Sequence, residues 1–183
     1  AAITYLANIL LLMVSHAGSL VQMVQHSHEF QIWFKELSGM NQSSELAKAF
    51  STFRSAKHRF ESLSAPLSRL VLDLGAFIAL AVKITIYRKG TAAAQSATEF
   101  LDLLCPELVF ACAMMADAAD EVLLVIRHFD DEGVDSSKTT QVLHNFMDRI
   151  HYLFVLENVL TVEGHTKRAL RFLSRPHVYE VNG

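Results

Sequence analysis

The residues best equipped for chemistry lie in one octet, HNFMDRIH, from His144 to His151. Wound into a helix, it puts His144, Asp148 and His151 on one face, at i, i+4 and i+7. Two imidazoles and a carboxylate at that spacing are metal-ligand chemistry or a proton-handling pair. They also make an ordinary wet helix face, and the angular position decides between the two. The apolar stripe of the same segment is Leu143, Phe146, Ile150, Leu153 and Leu160, and the three polar residues point well away from it. A metal site in a bundle core needs ligands facing inward from several helices. The expectation is therefore a solvated or partner-facing strip that holds no metal.

Glu157 falls near the centre of that apolar stripe, between Leu153 and Leu160. A carboxylate there is expected to be buried, and so paired, hydrogen-bonded or protonated. His16, which flanks the stripe of the first helix, is a candidate partner, in a contact that fixes helix register. In HSHEF (26–30), His26, His28 and Glu29 diverge around a helix and do not converge on one ion. There is no glycine-rich phosphate loop, GxSxG elbow, HExxH or zinc-finger spacing, and no Glu-x-x-His pair on two helices. No catalytic residue and no cofactor are expected.

These side chains are positioned by helices. Hydrophobic residues make up 51% of the 183, charged ones 19%, and only three prolines and seven glycines interrupt them. Mean hydropathy is +0.26, far from the signature of disorder. In the first segment Leu6, Leu10, Met13, Ala17, Leu20 and Val24 form one stripe of a helix reaching about Leu37. Ser43 or Ser44 caps a second helix, lined by Leu46, Phe50, Phe53, Phe60 and Leu63 and kinked or restarted at Pro66. Leu67, Leu70, Leu74, Phe77, Ala81 and Ile84 then repeat at steps of three and four, a clean bundle seam that Gly90 ends. Thr91 caps a small-residue helix that meets Pro106. Beyond it run Leu108, Cys112, Met115, Ala119, Val122, Ile126 and Phe129, with alanines that allow close helix approach. A polar loop (130–137) precedes a last helix from about Lys138 to Leu173.

The predicted fold is all-α: an antiparallel bundle of four long helices, two of them broken at Pro66 and Pro106. It forms a single domain, 1–183, with a short extended tail over about 174–183. Cys105 and Cys112 lie too far apart along a helix for a disulfide. They read as buried thiols in a reducing, intracellular compartment. Residues 1–28 carry no formal charge, yet their unbroken apolar run, LANILLLMV, is far shorter than the roughly 20 residues of a membrane span. The formal charge of −3 argues against nucleic acid as a partner.

The hydrophobicity exceeds what one bundle can bury. Ile9, Leu12, Val14, Trp33 and Phe34 form a second apolar set on the first helix, and YLFVLENVL is apolar nearly all round. Large outward apolar faces mark partners or membranes. The expected interface residues are Leu12, Trp33, Phe34, His144, Asp148, His151 and Val155. Charges also cluster: Arg54, Lys57 and His58; Asp117, Asp120 and Glu121, with no facing partner to suggest a metal pair; and Lys167, Arg168, Arg171 and Arg175. Basic ends meeting acidic loops offer one route to head-to-tail association.

Two short stretches resemble known families. LANILLLMVSHAGSL resembles the phosphoacceptor helix of two-component histidine phosphotransferases, which implies His16 as the acceptor. Those families place an acidic residue just after the histidine or a lysine a few residues on, whereas Ala17 and Gly18 follow here. GAFIALAVKITIYRKG is similar in texture to a helix and turn of influenza-type matrix proteins, which implies a helical, self-assembling, matrix- or coat-like chain. Those proteins bind acidic membrane and nucleoprotein through basic surfaces, and this chain is acidic. The expected function is non-enzymatic, by protein–protein interaction or self-assembly as a homo-oligomer. The alternatives are histidine phosphotransfer through His16 and conditional binding to a membrane surface.

Overall fold

The computed structural model describes residues 19–39, 61–130 and 136–177. Leu12 and His16, the capping serines 43 and 44, and the Arg54, Lys57, His58 face lie outside the described residues, as does most of the 130–137 loop. Among the described residues all regular structure is helical, in eight α-helices: α1 (Leu20–His26), α2 (His28–Ser38), α3 (Glu61–Leu72), α4 (Leu74–Tyr87), α5 (Ala92–Leu103), α6 (Pro106–Asp130), α7 (Thr139–Ile150) and α8 (His165–Leu173).

Helix ends follow local chemistry. The continuous helix expected through residue 37 is broken at Ser27, which adopts an extended conformation (φ −119°, ψ 116°). Its hydroxyl accepts from the Phe30 amide at 3.4 Å, so it caps α2, with Glu29 favourably in the first turn. Gly39, at φ 68°, closes α2 in the left-handed conformation that glycine adopts without steric cost. Thr91 caps α5 through the Ala94 amide at 3.2 Å. Pro106 takes the first position of α6, where its missing N–H leaves no bond unmade.

Pro66 does not break its helix: α3 runs through it, and the chain bends at Asp73 instead. A proline removes one backbone bond. Asp73, in contrast, belongs to the types that favour helix ends, and it sits at φ −108°, ψ 23° between α3 and α4.

The seam Leu67, Leu70, Leu74, Phe77, Ala81 and Ile84 is at most 3% exposed throughout. α4 packs on α2 and α5, and α3 on α6. α6 presents Leu108, Cys112, Ala113, Ala116 and Ala119 to the interior. Its small residues let α8 approach closely, and Ala169 joins the same core. The expected stripe of α6 holds only in its first half. Met115, Val122 and Ile126 are half-buried, and Phe129 is exposed.

The last rod is not one helix. α7 stops at Ile150 and passes through a π turn, His151–Val155, closed by the Leu156 amide on the His151 carbonyl at 3.0 Å. A single 3-10 turn, Asn158–Leu160, follows before α8. The π turn inserts an extra residue and rotates everything after it. Glu157, expected to be a buried carboxylate, is therefore exposed, in the left-handed region at φ 57°. That conformation costs a non-glycine residue about 1–2 kcal/mol. Leu153 and Val159 pin the bend by burial, and the Asn158 amide donates to the Tyr152 carbonyl at 3.0 Å.

Candidate interaction surface

α7 has one principal neighbour, α6. Its Val142, Phe146 and Ile150 turn towards α6 and are half-buried, and Leu153 continues that line into the interior. The stripe is rotated from the one expected: Leu143 and Leu160, placed inward by the sequence, are exposed. Beside the contact lies an open groove of about 410 Å³, lined by Glu121, Leu124 and Val125 of α6 and Val142, Asn145, Phe146 and Arg149 of α7. Arg149 locks one end, with Nε 3.0 Å from Glu121 Oε1 and its guanidinium 5.6 Å from the Tyr152 ring centroid.

Among the described residues nothing covers the outward face of α7. Leu143, Met147 and Val155 are 43%, 62% and 63% exposed. Leu143 and Met147, at i and i+4, lie along one line of α7, and the extra residue of the π turn brings Val155 back towards that line. His144, Asp148 and His151 are also exposed and run beside it. The structure thus brings four of the expected interface residues, His144, Asp148, His151 and Val155, onto one surface with Leu143 and Met147. No group of three or more His, Cys, Asp or Glu side chains that could hold a metal occurs among the described residues.

The two aromatic members of the expected interface lie elsewhere. Phe34 is fully buried, its ring 4.8 Å from that of Phe77, because α4 covers the inward face of α2. Trp33 is half-buried at the same helix pair, between Phe30 and Tyr87, with Lys83 Nζ 5.0 Å from its ring centroid.

A second feature, the joint that fixes the α7–α8 bend, was not anticipated. The acidic face of α6 does have a facing partner, the N-terminus of α8. Asp117 accepts from the backbone amides of His165 and Thr166, each at 2.8 Å, and so caps α8 from another helix. The helix needs this, because Gly164 at its N-cap offers no side chain. Gly164 also has no room for one: a Cβ there would sit 2.6 Å from Asp117 Oδ1. His165 Nε2 pairs with Asp120 Oδ2 at 3.2 Å. A cleft of about 230 Å³ opens beside this clamp, with Glu121, Arg149 and Arg168 on its walls. The available signal was Gly-His-Thr at a helix start without Ser, Thr, Asp or Asn before it, which calls for a cap from elsewhere.

Lys167 and Arg171 of the basic cluster both bind Glu163, at 2.7 and 2.8 Å. Hydrogen bonding to Lys167, then to Arg171, holds the Glu163 carboxyl below its usual range. Burial acts the other way at Asp73, which it raises against the pull of Arg69, and at Cys112, whose thiol it pushes up to about 12. Cys105, expected to be buried, is exposed at the α5–α6 junction, where the chain leaves one helix for the next.

No helix among the described residues is long and apolar enough to cross a membrane. Comparison with known protein families, with curated proteins and with solved structures gives no match.

Proposed function

We propose that this chain is a non-enzymatic helical protein, an antiparallel bundle in general plan, that works by binding a protein surface through the outward face of α7. One observation carries the reading: the apolar stripe of Leu143 and Met147 on α7, continued by Val155 in the π turn, is uncovered among the described residues. Burying each such side chain is worth roughly 1.5–3 kcal/mol, and a surface helix without a partner carries polar residues there. The neighbouring polar groups include His144, Asp148 and His151, a mixed strip that suits a protein partner better than an anionic lipid surface.

The test is site-specific photo-crosslinking in native cells. A benzophenone amino acid at Met147 should yield a covalent protein adduct, of whatever mass. The same group at Asp102, exposed on α5, should yield none. Failure of the Met147 probe to capture any protein overturns the proposal.

A further inference from the structure

We infer that the surface which covers α7 is the α7 of a second copy of this chain, docked antiparallel about a two-fold axis. This rests on reading the outward face of α7 as an interface, and it names the occupant. Two observations favour a copy.

The first is the order of the polar strip. His144, Asp148 and His151 place a carboxylate between two imidazoles, at intervals of four and three. In a parallel copy the two-fold runs along the helices and carries the two strips to opposite sides of the apolar seam, where they do not meet. An antiparallel copy centred near Arg149 sets Asp148 beside the partner's His151, and by symmetry His151 beside the partner's Asp148. In the same register Leu143 lies opposite the partner's Val155. One rotation thus joins both ends of the apolar stripe and makes two reciprocal carboxylate–imidazole contacts. That is the self-complementarity an isologous interface requires.

The second is area. Leu124 on α6, Leu143 and Met147 on α7, and Tyr152, Val155 and Leu156 in the bend are all exposed. Fully burying one such side chain removes on the order of 60–120 Å² from water, so their open portions come to roughly 200–400 Å². That supplies about a quarter to a half of the ~800 Å² one partner contributes to a standard interface, before any polar rim is counted.

The experiment is mass by light scattering and native mass spectrometry on the whole chain, from about 1 to 100 µM, the range of ordinary reversible dimers. The wild type should pass from monomer to dimer. Met147→Glu should keep its circular dichroism and weaken the dimer about tenfold or more. Val155→Glu should do the same, and it guards against a fault peculiar to one position. Asp148→Lys alone, and His144→Glu with His151→Glu, each make the strip repel its own copy, so each should be monomeric. Mixed one to one, they should form a heterodimer.

A wild type that stays monomeric throughout overturns the self-pairing. If the Met147 probe then captures a chain of different mass, the interaction reading stands with a foreign partner; if it captures nothing, both fall. A dimer that survives Met147→Glu and Val155→Glu, with no preference in the mixture, also overturns the pairing, because the interface then lies elsewhere.

Discussion

α4 and α7 are written in the same code and meet different fates. Each spaces apolar residues at steps of three and four. In α4, Leu74, Phe77, Ala81 and Ile84 are all buried, because α2 and α5 pack on that helix and α3 precedes it in the same core. In α7, Val142, Phe146 and Ile150 reach only half-burial against α6, and Leu143 and Met147 stand open. Amphipathic spacing shows that a face is built to be covered. Whether the cover comes from the same chain depends on how many helices arrive there, and among the described helices only one packs closely on α7.

The sharpest way to break this comparison is truncation. Phe77→Ala removes a fully buried ring that packs at a tilt against Phe34, and it should cost about 3–5 kcal/mol of folding stability. Met147→Ala removes an exposed side chain and should fall within about 0.5 kcal/mol of the parent. Urea denaturation at protein concentrations low enough to keep the chain monomeric checks both. Similar losses at the two positions would mean that α7 belongs to the core after all.

The clamp between α6 and α8 gives an intermediate effect. Asp117→Ala leaves the amides of His165 and Thr166 without their acceptor, and loss of such a cap costs about 1–2 kcal/mol. Gly164→Ala should cost a similar amount by another route, since its methyl group would collide with the same carboxylate. Both losses should be local. Hydrogen exchange should quicken across residues 165–173 and stay unchanged in α4. A uniform change across both helices would show that the two halves unfold as one unit and would blunt the contrast.

What was legible in the sequence follows the same division. The α3–α4 seam reads directly because every residue in it is covered by its own chain, so spacing and burial agree. The cap at Thr91 reads because capping is local. The outward position of His144, Asp148 and His151 was also readable, since three residues fix an angle on a helix. The break after Ile150 was not. A π turn inserts one residue with no proline or glycine to announce it, and it carries Glu157 from the expected interior to the surface. The role of Asp117 was hidden for a different reason: its partners are backbone amides 48 and 49 residues along the chain, and periodicity carries no tertiary pairing. Phe34 reads outward from spacing alone because periodicity does not show that α4 covers α2.

The smallest expected effect separates the two halves by the sign of their response to pH. Asp73, at the α3–α4 bend, has its carboxyl raised mainly by burial. A raised folded value means that the native state binds the proton more tightly than the unfolded chain does. The stability tied to that group is therefore fully present below the ordinary carboxylate range, about 4, and is lost as pH rises through the folded value. Glu163, between α7 and α8, is held low by Lys167 and Arg171. Its contribution is present above that range and is lost as pH falls through the folded value. Asp73→Asn should accordingly raise the unfolding midpoint slightly at pH 7, and Glu163→Gln should lower it slightly. Both differences should fade as the pH drops through each carboxyl's folded value, since the wild-type carboxyls are then themselves protonated, Asp73 before Glu163. Thermal melts of the three proteins at neutral and acid pH check this. Glu163 is fully exposed, so its ion pairs are screened and its shift should be the smaller of the two and should shrink further in salt. Asp73 sits where burial outweighs its pairing with Arg69, and its shift should survive salt. If both variants move the same way at pH 7, burial does not govern the carboxyl at the covered end, and the contrast between the two halves fails there first.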